Sequence, residues 1–348
     1  MPKSKPRQPA KATYAWIRKS KDELLDLRIC DLGLRLDHST VEPQIRRLYR
    51  ELQRKQLSFR PHFWFSDEWY CPDGIPGVAI PFFLAHPRLK QLEMDFMLEV
   101  EGGDPRWCMK LLRHESGHAI LNAFKLDKDP GWRALFGKPN AAYKDTYLPK
   151  PYSKQFVINL PGWYAQSHPH EDWAETFAVW LDPRADWPRR YQRWQALKKL
   201  QYVDSLMQTL IGKTPLLRNK HTEYPVEKIK ITLRQFYEEK RQRYGIDSPE
   251  FFDVDLRKLF VDNQALPQGQ KASRYLRTIA RPTLDIVEKW TGEYKYRINE
   301  ALKDMIKRCD ELDLRADPDN PALLPNITAC LTMLVMNKLH SGGFHLAR

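Results

Sequence analysis

The chain has 348 residues, 42% hydrophobic, 12% aromatic and 29% charged, a balance that excludes a disordered or fibrous polypeptide and leaves room for one large or two ordinary domains. Its longest apolar run, Gly77 to Ala85, is far short of the ~20 residues a membrane helix needs, and no apolar stretch follows the basic N-terminus, so neither a membrane span nor a signal peptide is expected. Five scattered cysteines without a C-x-x-C pair and a net charge of +13 complete the picture: no zinc ribbon and no disulfide framework is indicated, and a reducing, cytoplasmic setting fits best.

Residues 1–19 are rich in Lys, Pro and Ala and read as a basic disordered tail. Residues 1–21 hold seven Lys or Arg and no acid, so this tail is the one feature that suggests nucleic acid as a partner; no nucleic-acid-binding motif accompanies it. Ser20-Lys21-Asp22-Glu23 is a capping box for a short helix carrying Leu24, Leu25 and Leu27. Ser39-Thr40-Val41-Glu42 is a second box, expected to open a helix through about Gln56, with Ile45, Leu48, Tyr49 and Leu52 on one face. His62–Phe65 and Val78–Phe83 read as two strands separated by the turn formers Pro72, Gly74, Pro76 and Gly77. Pro81 lacks a backbone donor, which places the second strand at a sheet edge and suggests strand addition of an extended peptide. Residues 87–100 are helical in pattern.

Asp104-Pro105 is a helix start, an N-cap acid followed by proline at the first position. Trp107, Leu111, Leu112, Ile120, Leu121 and Phe124 carry the helix to about Phe124. Residues 126–167, rich in Pro, Gly, Tyr and Lys, read as a long surface loop. A further helix is expected from near Ser167 to Asp182-Pro183. Helical spacing then recurs at 188–211, 226–244, 271–290, 292–312 and 325–340, with interruptions that include Pro215, Pro225, Gly245, Pro267, Pro282 and Pro318, and Gly342-Gly343 is placed to end the last helix.

Chemistry concentrates in two of these helices. His114-Glu115-Ser116-Gly117-His118 is an H-E-x-x-H motif, and positions four apart share a helix face, so both imidazoles reach one metal ion while Glu115 reaches a water beside it. Gly117 costs about 1 kcal/mol relative to Ala inside a helix, which is understandable where another backbone must approach closely. Glu171 and Glu175 share a face of the second helix. A catalytic zinc takes three protein ligands and keeps one open position. Glu171 is therefore the candidate third ligand, and Glu175 the partner for the free N–H of a ligand histidine, chiefly His114. His168 and His170 remain alternatives to Glu171 as ligand, and either can serve instead as a transition-state hydrogen-bond donor. The plain alternative is a solvated acidic helix face.

The H-E-x-x-H helix followed by Glu171-x-x-x-Glu175 resembles the glutamate zincins, the thermolysin-like metallopeptidases, and Glu171–Phe177 is similar to the corresponding helix of the lethal-factor-like members. Those members place a catalytic tyrosine shortly before the third ligand, which implies such a role for Tyr164. A closer resemblance is to a family of bacterial zinc-binding metallopeptidases, through Glu23–Gly33, Phe59–Trp64, Ser66–Trp69, Cys71–Gly74, Leu112–Glu115 and Gly162–Pro169. It spans about residues 20–210 and implies a zincin fold with one zinc ion, a water activated by the metal, Glu115 as general base, and Tyr164 then His168 as oxyanion donors.

The expectation is thus an α+β protein: a tail over 1–19, a zincin-like domain over 20–212 with a small mixed sheet and an active-site helix pair, and a mostly helical region over 213–348. The expected activity is hydrolysis of a peptide or protein substrate. A non-catalytic zinc-binding scaffold, and a protease acting on nucleic-acid-associated proteins, are the alternatives.

Overall fold

A computed structural model describes residues 14–144, 147, 149–244 and 253–338. Among these residues the fold is mostly helical, with two small sheets. Most of the basic tail and Gly342-Gly343 lie outside the described residues, but residues 14–19 do not behave as a tail. Ala15–Arg18 forms a 3-10 turn, and Trp16 is buried with its indole N–H donating to the Leu32 carbonyl at 2.8 Å. The first box forms as expected around α1 (Lys21–Leu25): Ser20 Oγ accepts from Glu23 N, and Glu23 accepts from Ser20 N. The second does not. α2 (Glu42–Arg54) starts at Val41 without a side-chain cap, because Ser39 donates to Leu36 O and the Glu42 carboxylate is taken by His38 N and Arg46.

β1 (His62–Ser66) and β2 (Gly77–Pro81) pair in parallel, with Phe63 opposite Val78 and Phe65 opposite Ile80. All five β2 residues are buried, and on its far side Ala79 N donates to Tyr70 O at 2.9 Å. The open edge expected for strand addition is therefore absent: Pro81 closes a covered strand, and Phe82–Ala85 continues as a 3-10 turn. The outer side of β1 is covered in turn, since His62, Trp64 and Ser66 bond the carbonyls of His221, Glu223 and Tyr224.

α3 (Pro87–Met97) leads to α4 (Pro105–Phe124), where Asp104 caps Arg106 N and Trp107 N as its sequence implies. Every residue from Leu111 to Gly117 is buried, so α4 is a central helix enclosed on all sides. The stretch read as one long loop contains α5 (Pro130–Phe136), capped by Asp129, and a 3-10 turn over Pro161–Gln166. α6 (Pro169–Leu181) packs on α4, and α7 (Trp187–Arg190) and α8 (Ala196–Thr209) follow.

The expected boundary at residue 212 falls inside a core. Val226, Ile229 and, from α9 (Leu233–Tyr244), Leu233, Phe236 and Tyr237 join the same buried cluster as α1 to α8. Backbone bonds from Ile29 to Ile231 and from Leu233 to Leu27 tie this segment to the N-terminal helices. A second cluster comprises α10 (Asp253–Leu259), α11 (Ala272–Thr291), α12 (Lys295–Glu311) and α13 (Leu323–Lys338), with β3 (Val261–Asp262), β4 (Gln270–Lys271) and β5 (Leu314–Ala316) in an antiparallel sheet of order β3-β5-β4. α11 runs unbroken through Pro282, read from sequence as an interruption. Among the described residues no helix is long and apolar enough to cross a membrane.

Candidate metal centre

Two helices supply the centre, and a glycine sets their spacing. A Cβ on Gly117 would lie 2.9 Å from Ala174 Cα and 3.2 Å from Ala174 O. The backbones of α4 and α6 are therefore in direct contact where the motif sits, and Trp173 Nε1 donates to Gly117 O at 2.8 Å across the same junction. The closeness anticipated from a glycine in mid-helix is what lets the histidines of α4 meet the carboxylates of α6.

His114 Nδ1 donates to Glu175 Oε1 at 2.8 Å. Glu175 is 1% exposed and accepts two further bonds, from Asn159 Nδ2 and Leu160 N, both at 2.8 Å. With its proton committed to Glu175, His114 turns a lone pair on Nε2 outward. It faces Glu171 Oε2 at 3.0 Å and His118 Nε2 at 3.2 Å, and His118 Nε2 lies 3.2 Å from the same Oε2. Glu171 Oε1 is taken by the Tyr143 hydroxyl at 3.0 Å, which leaves Oε2 as the inward atom.

Three lone-pair atoms so close repel one another unless something positive stands among them. Bonds of ~2.0–2.1 Å to a tetrahedral ion set ligand atoms about 3.3 Å apart, close to the triangle seen. Among the described residues this is the group of His, Cys, Asp and Glu arranged to hold a metal ion; neither His168 nor His170 is part of it. Without an ion a proton takes that place: burial disfavours charge on both sides, but hydrogen bonds and opposite charge prevail, so His114 is raised well above the usual imidazole range and Glu171 is held well below the usual carboxylate range.

Glu115 is 7% exposed and lines the cavity beside this triangle. Burial pushes its carboxyl upward against the pull of His114 and His118. The Tyr164 ring centroid lies 5.5 Å from that of His114. Burial, then the charges of Glu171 and Glu115, raise this phenol well above its ordinary value, so it remains a donor. His168 sits elsewhere. It caps α6, with Nδ1 accepting from His170 N and Nε2 facing Ala141 O at 2.9 Å. Both ring nitrogens are occupied, and the ring stacks on Tyr143 at 3.6 Å. The structure thus turns His168 from a candidate ligand or oxyanion donor into the support of Tyr143. His170 lines the cavity and is lowered to about 4 by burial.

Tyr143 is the residue that sequence reasoning missed. It lies in the stretch 126–167, where no periodicity ranks one tyrosine above another. Arg113, beside the motif, was also passed over. It is 3% exposed and chelates Glu51 at 2.8 and 3.0 Å, with Asp182 at 3.0 Å. It pins the end of α6 and the face of α2 to α4.

The cavity over the triangle has a volume of about 1000 Å³. A second, of about 510 Å³, shares His114, Glu115 and Tyr164 with it. A buried two-histidine, one-carboxylate triangle facing such a cleft, with Glu115 beside it, has the donor set of a candidate metal site. Residues 105–190, from the first residue of α4 to the last of α7, match the family described as "Putative zinc-binding metallo-peptidase". No curated protein and no solved structure matches the chain.

Proposed function

We propose that the protein is a cytoplasmic zinc-dependent peptidase of the glutamate-zincin type, with one ion held by His114, His118 and Glu171. The observation that carries this reading is the convergence of three lone pairs at 3.0–3.2 Å on the floor of an open cleft, with Glu115 alongside.

His114, His118 and Glu171 would hold the zinc ion, which would supply Lewis acidity and a water of pKa ~7. Glu115, its carboxyl raised by burial, takes the water's proton and passes it to the leaving amine. Tyr164 donates to the carbonyl oxygen as negative charge develops on it. Glu175 fixes the His114 tautomer and orients its ring. Tyr143 occupies Glu171 Oε1, so that this carboxylate presents a single oxygen. The α4–α6 pair with β1 and β2 is read as a zincin-like core, and the units divide between Tyr237 and Leu256, where the two clusters separate.

The test is metal analysis of the purified protein joined to a cleavage screen on a denatured proteome. One equivalent of zinc is expected, with peptide products that disappear in Glu115→Gln. Undiminished cleavage by that variant removes Glu115 from the mechanism, and a protein that takes up no zinc removes the reading altogether.

A further inference from the structure

The smaller cavity bears on substrate choice. It is a walled space of about 510 Å³ between the metal-binding core and the second helical unit, a volume within the range of small-ligand pockets. It shares His114, Glu115 and Tyr164 with the main cleft, so a side chain entering it belongs to a residue next to the reacting bond. Its two sides touch at a pair of turns: Gly162 and Gly292, both at φ 71°, approach so closely that a Cβ on Gly292 would sit 3.7 Å from Gly162 N.

The charge of this cavity opposes that of the molecule. The chain is +13 overall, yet seven carboxylates line the cavity against two lysines. Of the lysines, Lys240 pairs with Glu93 at 2.8 Å and Lys289 lies over the Trp290 ring at 5.8 Å. Some of the acids are also engaged: Glu68 with Arg243 at 2.7 Å, and Glu293 with Arg297 at 3.5 Å. Glu101 makes no hydrogen bond or ion pair with any described residue, and Glu288 reaches only Lys295, at 3.8 Å. Burial, with neighbouring acids, raises Glu99 and Glu101 to about 7 against the weaker pull of Lys295 on the first and Lys240 on the second. The indole N–H of Trp69, a wall residue only 8% exposed, has no acceptor among the described residues. The rim carries Tyr152 and Trp290, 76% and 68% exposed, and Trp163, whose ring meets Tyr152 edge-on at 5.6 Å.

Aromatic walls leading to under-compensated carboxylates suit an apolar stem that ends in a positive charge. We propose that this cavity is a specificity pocket for a lysine or arginine side chain of the substrate, with Glu101 and Glu288 as the selecting residues and the second helical unit, through α11 and the turn after it, as one wall. The proposal rests on the peptidase reading and gives that unit a role.

The test uses the zinc-loaded protein and three short peptide hydroxamates of equal length, carrying Arg, norleucine or Glu beside the metal-seeking group, titrated by tryptophan fluorescence. The Arg compound is expected to bind at least tenfold more tightly than the norleucine compound, and the Glu compound more weakly than either. Glu101→Gln and Glu288→Gln, made separately and together, are expected to shrink the Arg-to-norleucine ratio, and Glu101→Lys to bring it below one. Equal affinities for Arg and norleucine, or a ratio unmoved in both single variants, overturn the pocket while leaving the peptidase reading intact. A zinc-loaded protein that binds none of the three strikes the peptidase reading itself, and this proposal with it.

Discussion

Glu115 and Glu171 stand one helix apart and lead to opposite expectations. Replacing Glu115 with Gln keeps the shape of the site, so zinc content is expected to stay near one equivalent while hydrolysis falls by a factor of ~10²–10⁴; metal analysis beside a peptide assay separates the two. Glu171→Ala removes an inward oxygen and is expected to lower zinc occupancy itself. Glu175→Ala leaves the triangle intact but releases His114, with an expected loss of ~10–100-fold in metal affinity, read by competition with a chromophoric chelator. Glu101 carries a pH expectation. Its carboxyl is raised from 4.5 to about 7 in the fold by burial, so the folded protein holds a proton that the unfolded chain releases. That contribution to stability is fully present below pH ~4.5 and is lost as pH rises through about 7. Glu101→Gln should therefore gain stability relative to the parent between pH 5 and 8, and urea unfolding at several pH values checks it. At this scale the cluster of His114, His118 and Glu171 was legible because a spacing of four on a helix is a geometric statement. Tyr143 was not, because its bond to Glu171 depends on where an irregular chain segment comes to rest, and His168 misled because a helix-start histidine offers no sequence sign that capping and a carbonyl consume both its nitrogens.

Among elements, the crossing of α4 and α6 is the joint on which the centre depends. Gly117→Ala places a methyl within 2.9 Å of the Ala174 backbone, and a backbone cannot rotate away as a side chain can. An expected loss of about 1–3 kcal/mol, with weaker zinc binding from the widened gap, is measurable by denaturant titration with and without metal. Glu51→Ala acts on the other flank. It leaves the Arg113 guanidinium buried with Asp182 as its remaining partner, at an expected cost of about 3 kcal/mol, and thermal unfolding reads it directly. The two helices themselves were well marked in the sequence, since Asp104-Pro105 is an unambiguous start and Asp182-Pro183 an unambiguous stop. The box at Ser39 was not decisive, because Leu36 O and Arg46 compete for its two polar groups. The two- and three-residue strands of the second unit are too short for any alternation to register.

The molecule as a whole is divided differently from its composition. Proline and glycine content after residue 210 suggests a break there, yet the chain first crosses back to bond the carbonyls and amides around residues 27–30. That long-range return leaves no trace in local pattern. Residues 213–224 cover β1 for the same reason. The second cluster is joined to the first through Tyr296, which packs in the first core and accepts from Arg241 at 3.2 Å.

Glu171 and Glu175 of α6 do more than face the candidate metal site. Glu171 is latched by Tyr143, and Glu175 by Asn159 and Leu160, so both flanks of the intervening segment are moored to the same pair of acids. Withdrawing the ion takes away the positive charge shared by Glu171, His114 and His118, and the moorings are expected to slacken with it. Lys144, Lys150 and Lys154 are already exposed, and chelation should loosen the chain around them enough for trypsin to cut there within minutes, while the rest of the chain resists. Digestion at an equal pace with and without chelator would mean that this strap is fastened independently of the metal.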